Sequence, residues 1–469
     1  MTRGGHLTYF RGMGGRVQGS LVGFCSLLAL GSFGCSSDDG GDAAPAKPFE
    51  TSLACTDTPD SVWGTPVTAG DRGDLLGCAE LAALDAAEVA TRLQAMPEID
   101  VVTGVRRFLI TYRTERDKGE PGVGSALVYL PEKPRGGLLP AVVGAHGTTG
   151  LADACAPSHA VDHPYLDSLV VSWAAAGLPV IAPDYAGLGT AGVQGYGNFP
   201  DTGRSVLDSA RALRRLVGSD RVSEQAIFFG HSQGGGAALA AAAYSNETPD
   251  VKVGAIVSFA GVWAYLSFVE AFRLTSVSMT GLRGAVATML YADLANITED
   301  ESQSGAAFHP SIRTYMTEKT GTLCFQELVP ALDNAAAGYV PAATAGEFLD
   351  PDFRTSVLDC ADNGKCAGLP GKWAQRAKEN DPHVDPSVPI LYLAGDADTE
   401  LKPAQASCFF GRLVKDGAAP VECVYPGEDH QSLVLNSTGF AVDWATAAAR
   451  GAALPACPAD GALPNCSLF

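Results

Sequence analysis

The run Ala226 to Gly236, AIFFGHSQGGG, constrains this chain more than any other stretch. Four strand-forming residues lead into Gly230-His231-Ser232-Gln233-Gly234, and an alanine-rich run from Ala237 to Tyr244 follows. The pattern reads as a strand, a sharp turn and a helix, with glycines that let strand and helix approach closely. Such a turn holds a serine hydroxyl clear of the sheet, so Ser232 is the candidate nucleophile. The Gln233 N–H, at the helix start, is a candidate donor to an oxyanion. The plainer alternative is a glycine-rich turn with an incidental serine.

The sequence on either side of this turn alternates. Strand-like runs at Val105–Arg113 and Ser125–Leu130 precede an apolar run from Leu138 to Ala145, which ends at His146-Gly147. A helix over Tyr165–Ala175, a strand over Pro179–Pro183 and a helix over Thr202–Val217 lead to the elbow, and Val253–Phe259 reads as another buried strand. This alternation predicts a parallel sheet covered on both faces, with ligand sites at the carboxyl ends of its strands. His146, Asp184 and Ser232 all stand at such ends.

From 262 to 385 the residues predict helices, among them Tyr265–Arg273 and Leu282–Ala295, and no strand. The alternation resumes with a strand at Pro389–Ala394, a helix at Pro403–Lys415, a strand at Val421–Tyr425 and a helix at Phe440–Arg450. An all-helical insertion between two strands of one sheet reads as a cap, with an independent helical domain as the alternative. The expected division is a leader over 1–35, a tether over 36–47, an N-terminal arm and the first part of the core over 48–261, the cap over 262–385, the last part of the core over 386–450, and a tail over 451–469. The arm carries one helical candidate, Ala79–Met96.

A nucleophilic serine needs a base, and the base needs an orienting acid. In sheets of this kind the chain order is Ser, then Asp or Glu, then His. Of the histidines after Ser232, only His430 follows the last strand, in a loop able to carry an imidazole back across the sheet edge, so it is the candidate base. His309 and His383 read as structural or solvent-facing. The acid belongs just past Pro389–Ala394, where Asp396 and Asp398 stand two apart and spacing does not choose between them. A second oxyanion donor belongs to the loop at His146-Gly147, with the Thr148 N–H favoured and His146 holding the loop. His231 is expected to point away from Ser232.

Composition narrows the partners. A formal net charge of −20 over 469 residues argues against nucleic acid and against attraction to anionic membranes. Arg3, Arg11 and Arg16 precede the apolar run Leu21–Phe33, which suits an export signal. The run ends at Gly34-Cys35, resembling a bacterial lipoprotein signal in which Cys35 becomes the lipidated N-terminus. An ordinary secretory signal cut nearby is the alternative, and either reading places the mature protein outside the cytoplasm, as an outer-membrane or cell-surface lipoprotein or as a secreted protein. Ten of the 12 cysteines lie beyond this leader, an even number that points to disulfides rather than zinc. Connectivity is not readable from spacing.

HGTTGLADACAPS at His146–Ser158, APDYAGLG at Ala182–Gly189, GHSQGG at Gly230–Gly235 and LAGDAD ending at Asp398 occur in that order. Together they resemble the secretory lipase family of α/β-hydrolases, over about Val105 to Arg450. The resemblance implies an α/β-hydrolase fold, a mostly parallel sheet with helices on both faces and a helical cap inserted between late strands. It also implies a carboxylic ester hydrolase, lipase or esterase, that needs no cofactor and no metal. Asp398 is favoured over Asp396, and Cys155 is expected to bond the cap, with Cys324 as its partner. The expected partner is a small-molecule ester or lipid, with membrane contact only through the N-terminal anchor. A serine peptidase or amidase on the same triad, and a non-catalytic lipid-anchored binding protein, are the competing readings.

Overall fold

Nine strands form one sheet in the order β1-β2-β3-β5-β4-β6-β7-β8-β9. They are β1 (Leu75–Leu84), β2 (Val105–Glu115), β3 (Pro121–Pro131), β4 (Leu139–Ala145), β5 (Val180–Pro183), β6 (Val222–His231), β7 (Lys252–Phe259), β8 (Ile390–Gly395) and β9 (Val421–Tyr425). The computed structural model describes residues 47–96, 99, 103–162, 164–263, 269 and 272–468. The leader, the tether before Lys47, Cys35 and most of the helix expected over Tyr265–Arg273 lie outside the described residues.

The pairings β1–β2, β2–β3 and β3–β5 are antiparallel. From β5 through β4, β6, β7 and β8 to β9 every pairing is parallel. All residues of β4, β5 and β8 are buried, which is why these strands read as unbroken apolar runs instead of alternating ones. The helices Phe199–Val217 and Gln233–Ala243 pack together against the sheet, while Ser432–Ala449 packs on β7 and β8 beside the segment 167–175. Strand order reverses around β4, whose neighbours are β5 and β6, so a crevice is expected at the carboxyl ends of these three strands.

Between β7 and β8 the described elements are helical, including Arg283–Thr298, Arg313–Thr322, Phe325–Asp333, Pro351–Asn363 and Gly368–Glu379, with no strand among the described residues. Polar contacts dock this insertion on the core. Arg376 pairs with Asp117, Arg116 Nη2 donates to Asn296 Oδ1 at 2.9 Å, and the Phe199 N–H donates to Asn380 Oδ1 at 3.1 Å.

One expectation fails. The stretch Ala79–Met96 is not one helix: its first part belongs to β1, paired with β2 through Cys78↔Ile110 and Glu80↔Phe108, and the helix is only Ala86–Arg92. The Ala/Leu-rich composition favours helix, but ladder pairing and a disulfide at Cys78 hold the segment extended. Asp85 then starts the helix as an N-cap, in a capping box with Glu88.

Five disulfides join the described cysteines: Cys55–Cys78, Cys155–Cys324, Cys360–Cys366, Cys408–Cys466 and Cys423–Cys457. The second ties the loop after β4 to the cap, as the resemblance implied. The last two staple the tail to the helix Pro403–Lys415 and to β9.

Candidate active site

The elbow is built by close packing. A Cβ added at Gly230 would lie 2.2 Å from the Gly234 carbonyl oxygen, and one at Gly234 would lie 2.0 Å from the Ala145 carbonyl oxygen. Only glycine fits at either position. Between them Ser232 has φ 57° and ψ −117°, a left-handed backbone that costs a non-glycine residue about 1–3 kcal/mol. Its N–H donates to the Phe259 carbonyl at 2.9 Å, which ties the elbow to the end of β7. Gln233 is the first residue of the following helix, so its N–H has no acceptor within that helix.

The loop after β4 is pinned peptide by peptide. The His146 carbonyl accepts the Tyr185 hydroxyl at 2.8 Å, and the Gly147 N–H donates to the Tyr165 hydroxyl at 2.8 Å. His146 Nδ1 lies 2.5 Å from the Gly147 carbonyl oxygen, and Nε2 lies 3.3 Å from that of Asp184. Burial pushes the His146 pKa down to about 4, so the ring acts as a neutral hydrogen-bonder. Thr148 Oγ1 meets the Tyr196 hydroxyl at 2.7 Å, and the Thr149 carbonyl accepts the Phe325 N–H of the cap at 2.8 Å. Below the loop, the Asp184 carboxylate accepts the Ser125 hydroxyl at 2.7 Å and the Ser158 N–H at 3.0 Å. Burial pushes its pKa up to about 6.

His430 and Asp398 come together. His430 Nδ1 lies 2.6 Å from Asp398 Oδ2, and both residues are only 4% exposed. Asp398 Oδ1 accepts the N–H groups of Glu400 and Leu401, each at 2.8 Å, so both oxygens are occupied. Asp396 is exposed and accepts the Gly427 N–H at 2.6 Å, a turn-closing role. Asp429 accepts the Gln431 and Ser432 N–H groups and faces solvent. His430 stands beside the elbow, its ring 4.4 Å between centroids from that of His231, the residue before Ser232. His231 turns its Nδ1 to the Tyr165 hydroxyl at 3.1 Å.

The other two histidines after Ser232 are elsewhere. His309 bonds Ser311 in the cap, and His383 bonds Asp416 at the surface. Sequence reasoning missed Tyr165, Tyr185 and Tyr196, whose hydroxyls hold the loop, and Glu400, whose Oε2 lies 4.0 Å from His430 Nε2. No spacing rule points to them: Tyr165 comes from the helix Pro164–Leu166, Tyr185 and Tyr196 from the connection after β5, and Glu400 from the loop after β8. The lipidation expected at Cys35 lies outside the described residues.

The secretory lipase family model matches residues 158–305. The esterase LipA from Xanthomonas oryzae, described as degrading rice cell walls, is similar in structure with a TM-score of 0.61 at 17% identity, covering 78% of this chain and 97% of that one. Candida antarctica lipase A in its closed state is similar with a TM-score of 0.62 at 15% identity, covering 87% of this chain and 90% of that one. At such identities the likeness shows the fold. No curated protein matches the sequence.

Proposed function

From a chain that matches the secretory lipase family across its elbow and has the α/β-hydrolase fold, we propose a serine hydrolase that cleaves carboxylic esters through an acyl-enzyme on Ser232. The observation that carries this reading is the buried 2.6 Å bond between Asp398 and His430, set beside a serine in a left-handed elbow. Ser232 Oγ attacks the ester carbonyl carbon while His430 Nε2 takes the hydroxyl proton. Asp398, held by two N–H groups, keeps the imidazole in the tautomer with hydrogen on Nδ1 and stabilises the imidazolium. The carbonyl oxygen becomes an oxyanion, for which the N–H groups of Gln233 and Thr148 are the proposed donors. Collapse breaks the ester C–O bond, and the alcohol leaves with the proton from His430. Water then attacks the acyl-enzyme by the same steps, giving the carboxylic acid and free Ser232.

The cap over 262–385 closes the site, because an acyl chain needs an apolar, water-poor wall that the sheet edge alone does not supply. Its tie to the loop after β4, through Cys155–Cys324 and the Phe325 N–H, favours this role. The proposed location is outside the cytoplasm, with Cys35 as a lipid anchor. Mass spectrometry of the mature N-terminus tests the anchor, and an unmodified start beyond Cys35 would rule it out.

A rate profile across ester chain lengths, with emulsified triglyceride and a peptide amide included, tests the function. Ester turnover that disappears in Ser232→Ala, together with wild-type labelling by a fluorophosphonate, is the expected result. Faster amide than ester cleavage would move the assignment to the peptidase reading, and absence of labelling would leave a binding protein.

A further inference from the structure

We propose that Tyr165 is a positioning residue that couples the oxyanion loop to the general base, an inference that rests on the roles given above to Ser232, His430 and Thr148. One oxygen forms the junction. The Tyr165 hydroxyl accepts the Gly147 N–H at 2.8 Å and lies 3.1 Å from His231 Nδ1. A phenol oxygen can accept from an amide and still exchange a hydrogen bond with an imidazole nitrogen, so both contacts coexist. His231 is 2% exposed, and its ring stands 4.4 Å from that of His430. Tyr165 therefore touches the residue before Thr148 on one side and the ring that backs the base on the other.

The consequence for the loop follows from which atoms share a peptide plane. The His146 carbonyl and the Gly147 N–H belong to one peptide group, and each is held by a tyrosine hydroxyl, from Tyr185 and Tyr165 respectively. The next peptide group joins the Gly147 carbonyl to the Thr148 N–H, and that carbonyl is held by His146 Nδ1. The orientation of the Thr148 N–H is thus inherited from the two groups before it. Without the Tyr165 oxygen the first peptide group is free to rotate about its remaining anchor, and the proposed donor moves with it.

The consequence for the base follows from packing. His231 is buried and neutral, its pKa pushed well below the ordinary value by burial, so its ring is held by contact, by the Tyr165 bond and by a bond with the His430 backbone, without help from charge. Loss of the Tyr165 bond lets the ring turn against His430. A misplacement of reacting groups by about 1 Å can cost about 100-fold in rate, enough for a hydroxyl that is itself outside the reaction to matter.

Tyr165→Phe removes this oxygen and keeps the ring. We expect kcat for ester hydrolysis and the rate of fluorophosphonate labelling to fall about 10- to 100-fold, with KM changed less than about threefold and the melting temperature nearly unmoved. His231→Phe keeps a ring against His430 but removes the nitrogen that meets Tyr165, so a smaller loss in kcat is expected. The double variant should be no worse than Tyr165→Phe alone, because both substitutions act through one atom. Should Tyr165→Phe lose its melting transition, the fall in His231→Phe decides. A Tyr165→Phe enzyme within about twofold of wild type, or losses that multiply in the double variant, would overturn the proposal. If wild type itself neither hydrolyses esters nor labels, the functional reading has failed and this inference falls with it. An active wild type with an unaffected Tyr165→Phe variant sinks this inference alone.

Discussion

Asp398 Oδ2 lies 2.6 Å from His430 Nδ1, whereas Asp396, two residues earlier on the same loop, reaches only the Gly427 N–H. Asp398→Asn removes the charge facing the imidazolium and favours the wrong ring tautomer, a change that costs about 10⁴-fold in kcat in triads of this kind. Asp396→Asn should keep most of the turnover, since it weakens one exposed turn. Steady-state kinetics of the two variants check the pair, and the reverse ranking would move the acid to Asp396.

Ser232, the proposed nucleophile, sits on a strained backbone. Ser232→Ala and His430→Ala should each lower kcat by several orders of magnitude while substrate binding survives. Ser232→Gly should be equally inactive, yet more stable than Ser232→Ala by about 1 kcal/mol, because glycine adopts φ 57° without steric cost. Denaturant titration of the two inactive variants measures that difference.

Two buried titrating groups of opposite sign stand at neighbouring strand ends, His146 after β4 and Asp184 after β5. The folded pKa of Asp184 is raised from 3.8 to about 6, so its protonated form favours folding and that stability is lost as pH rises through 6. For His146 the folded pKa is lowered from 6.5 to about 4, so its contribution is present above 6.5 and is lost as pH falls through 4. The two slopes oppose one another over nearly one window. Asp184→Asn should therefore make stability fall more steeply on acidification from pH 6.5 to 4, and His146→Gln should make it fall less steeply. Equal slopes in both variants and wild type, by denaturant titration across that range, would contradict the assignment.

Cys155–Cys324 and the Phe325 N–H to Thr149 carbonyl bond hold the cap to the proposed oxyanion loop. Replacing both cysteines by serine should destabilise the fold by about 2–4 kcal/mol. It should also lower kcat under conditions where the variant is still folded, because the loop loses an anchor next to Thr148. Activity equal to wild type at full folding would separate the disulfide from the site.

Met289 in the cap helix Arg283–Thr298 is 3% exposed and belongs to the main apolar core. Met289→Ala should lower stability by about 2–4 kcal/mol and leave the acyl-length profile in place, as expected for a core residue. A shifted profile at unchanged melting temperature would make it a pocket wall. Leu266, which sequence periodicity places on another apolar cap face, lies outside the described residues.

What was legible in the sequence was what local chemistry dictates. The elbow announces itself because a serine at φ 57° between a strand and a helix needs glycines at 230 and 234. Chain order singled out His430, since among the histidines after Ser232 only it follows the last strand, and its part as base belongs to the proposed function. Spacing alone did not choose between Asp398 and Asp396, because both suit the same turn; the resemblance favoured Asp398, and it is Asp398 that meets His430 arriving from β9. Tyr165, Tyr185 and Tyr196 reach the loop from three places in the chain, a convergence that no local pattern encodes. The misreading of Ala79–Met96 has the same origin. Alanine and leucine there favour helix locally, and a partner strand outweighs them.

The disulfides Cys55–Cys78 and Cys423–Cys457 sit at opposite margins of the nine-stranded sheet. At one margin Thr56 bridges Ala79 of β1, with the Glu80 N–H donating to the Cys55 carbonyl at 3.1 Å. At the other, the Gly461 N–H from the tail donates to the Val424 carbonyl of β9 at 3.2 Å. Uncovered, each outer strand would present free backbone groups on which a second chain could add a strand. Each margin is partly covered by a short segment that a disulfide ties in place. Reduction would free the two covering segments together and leave more of both outer strands open to edge-to-edge pairing.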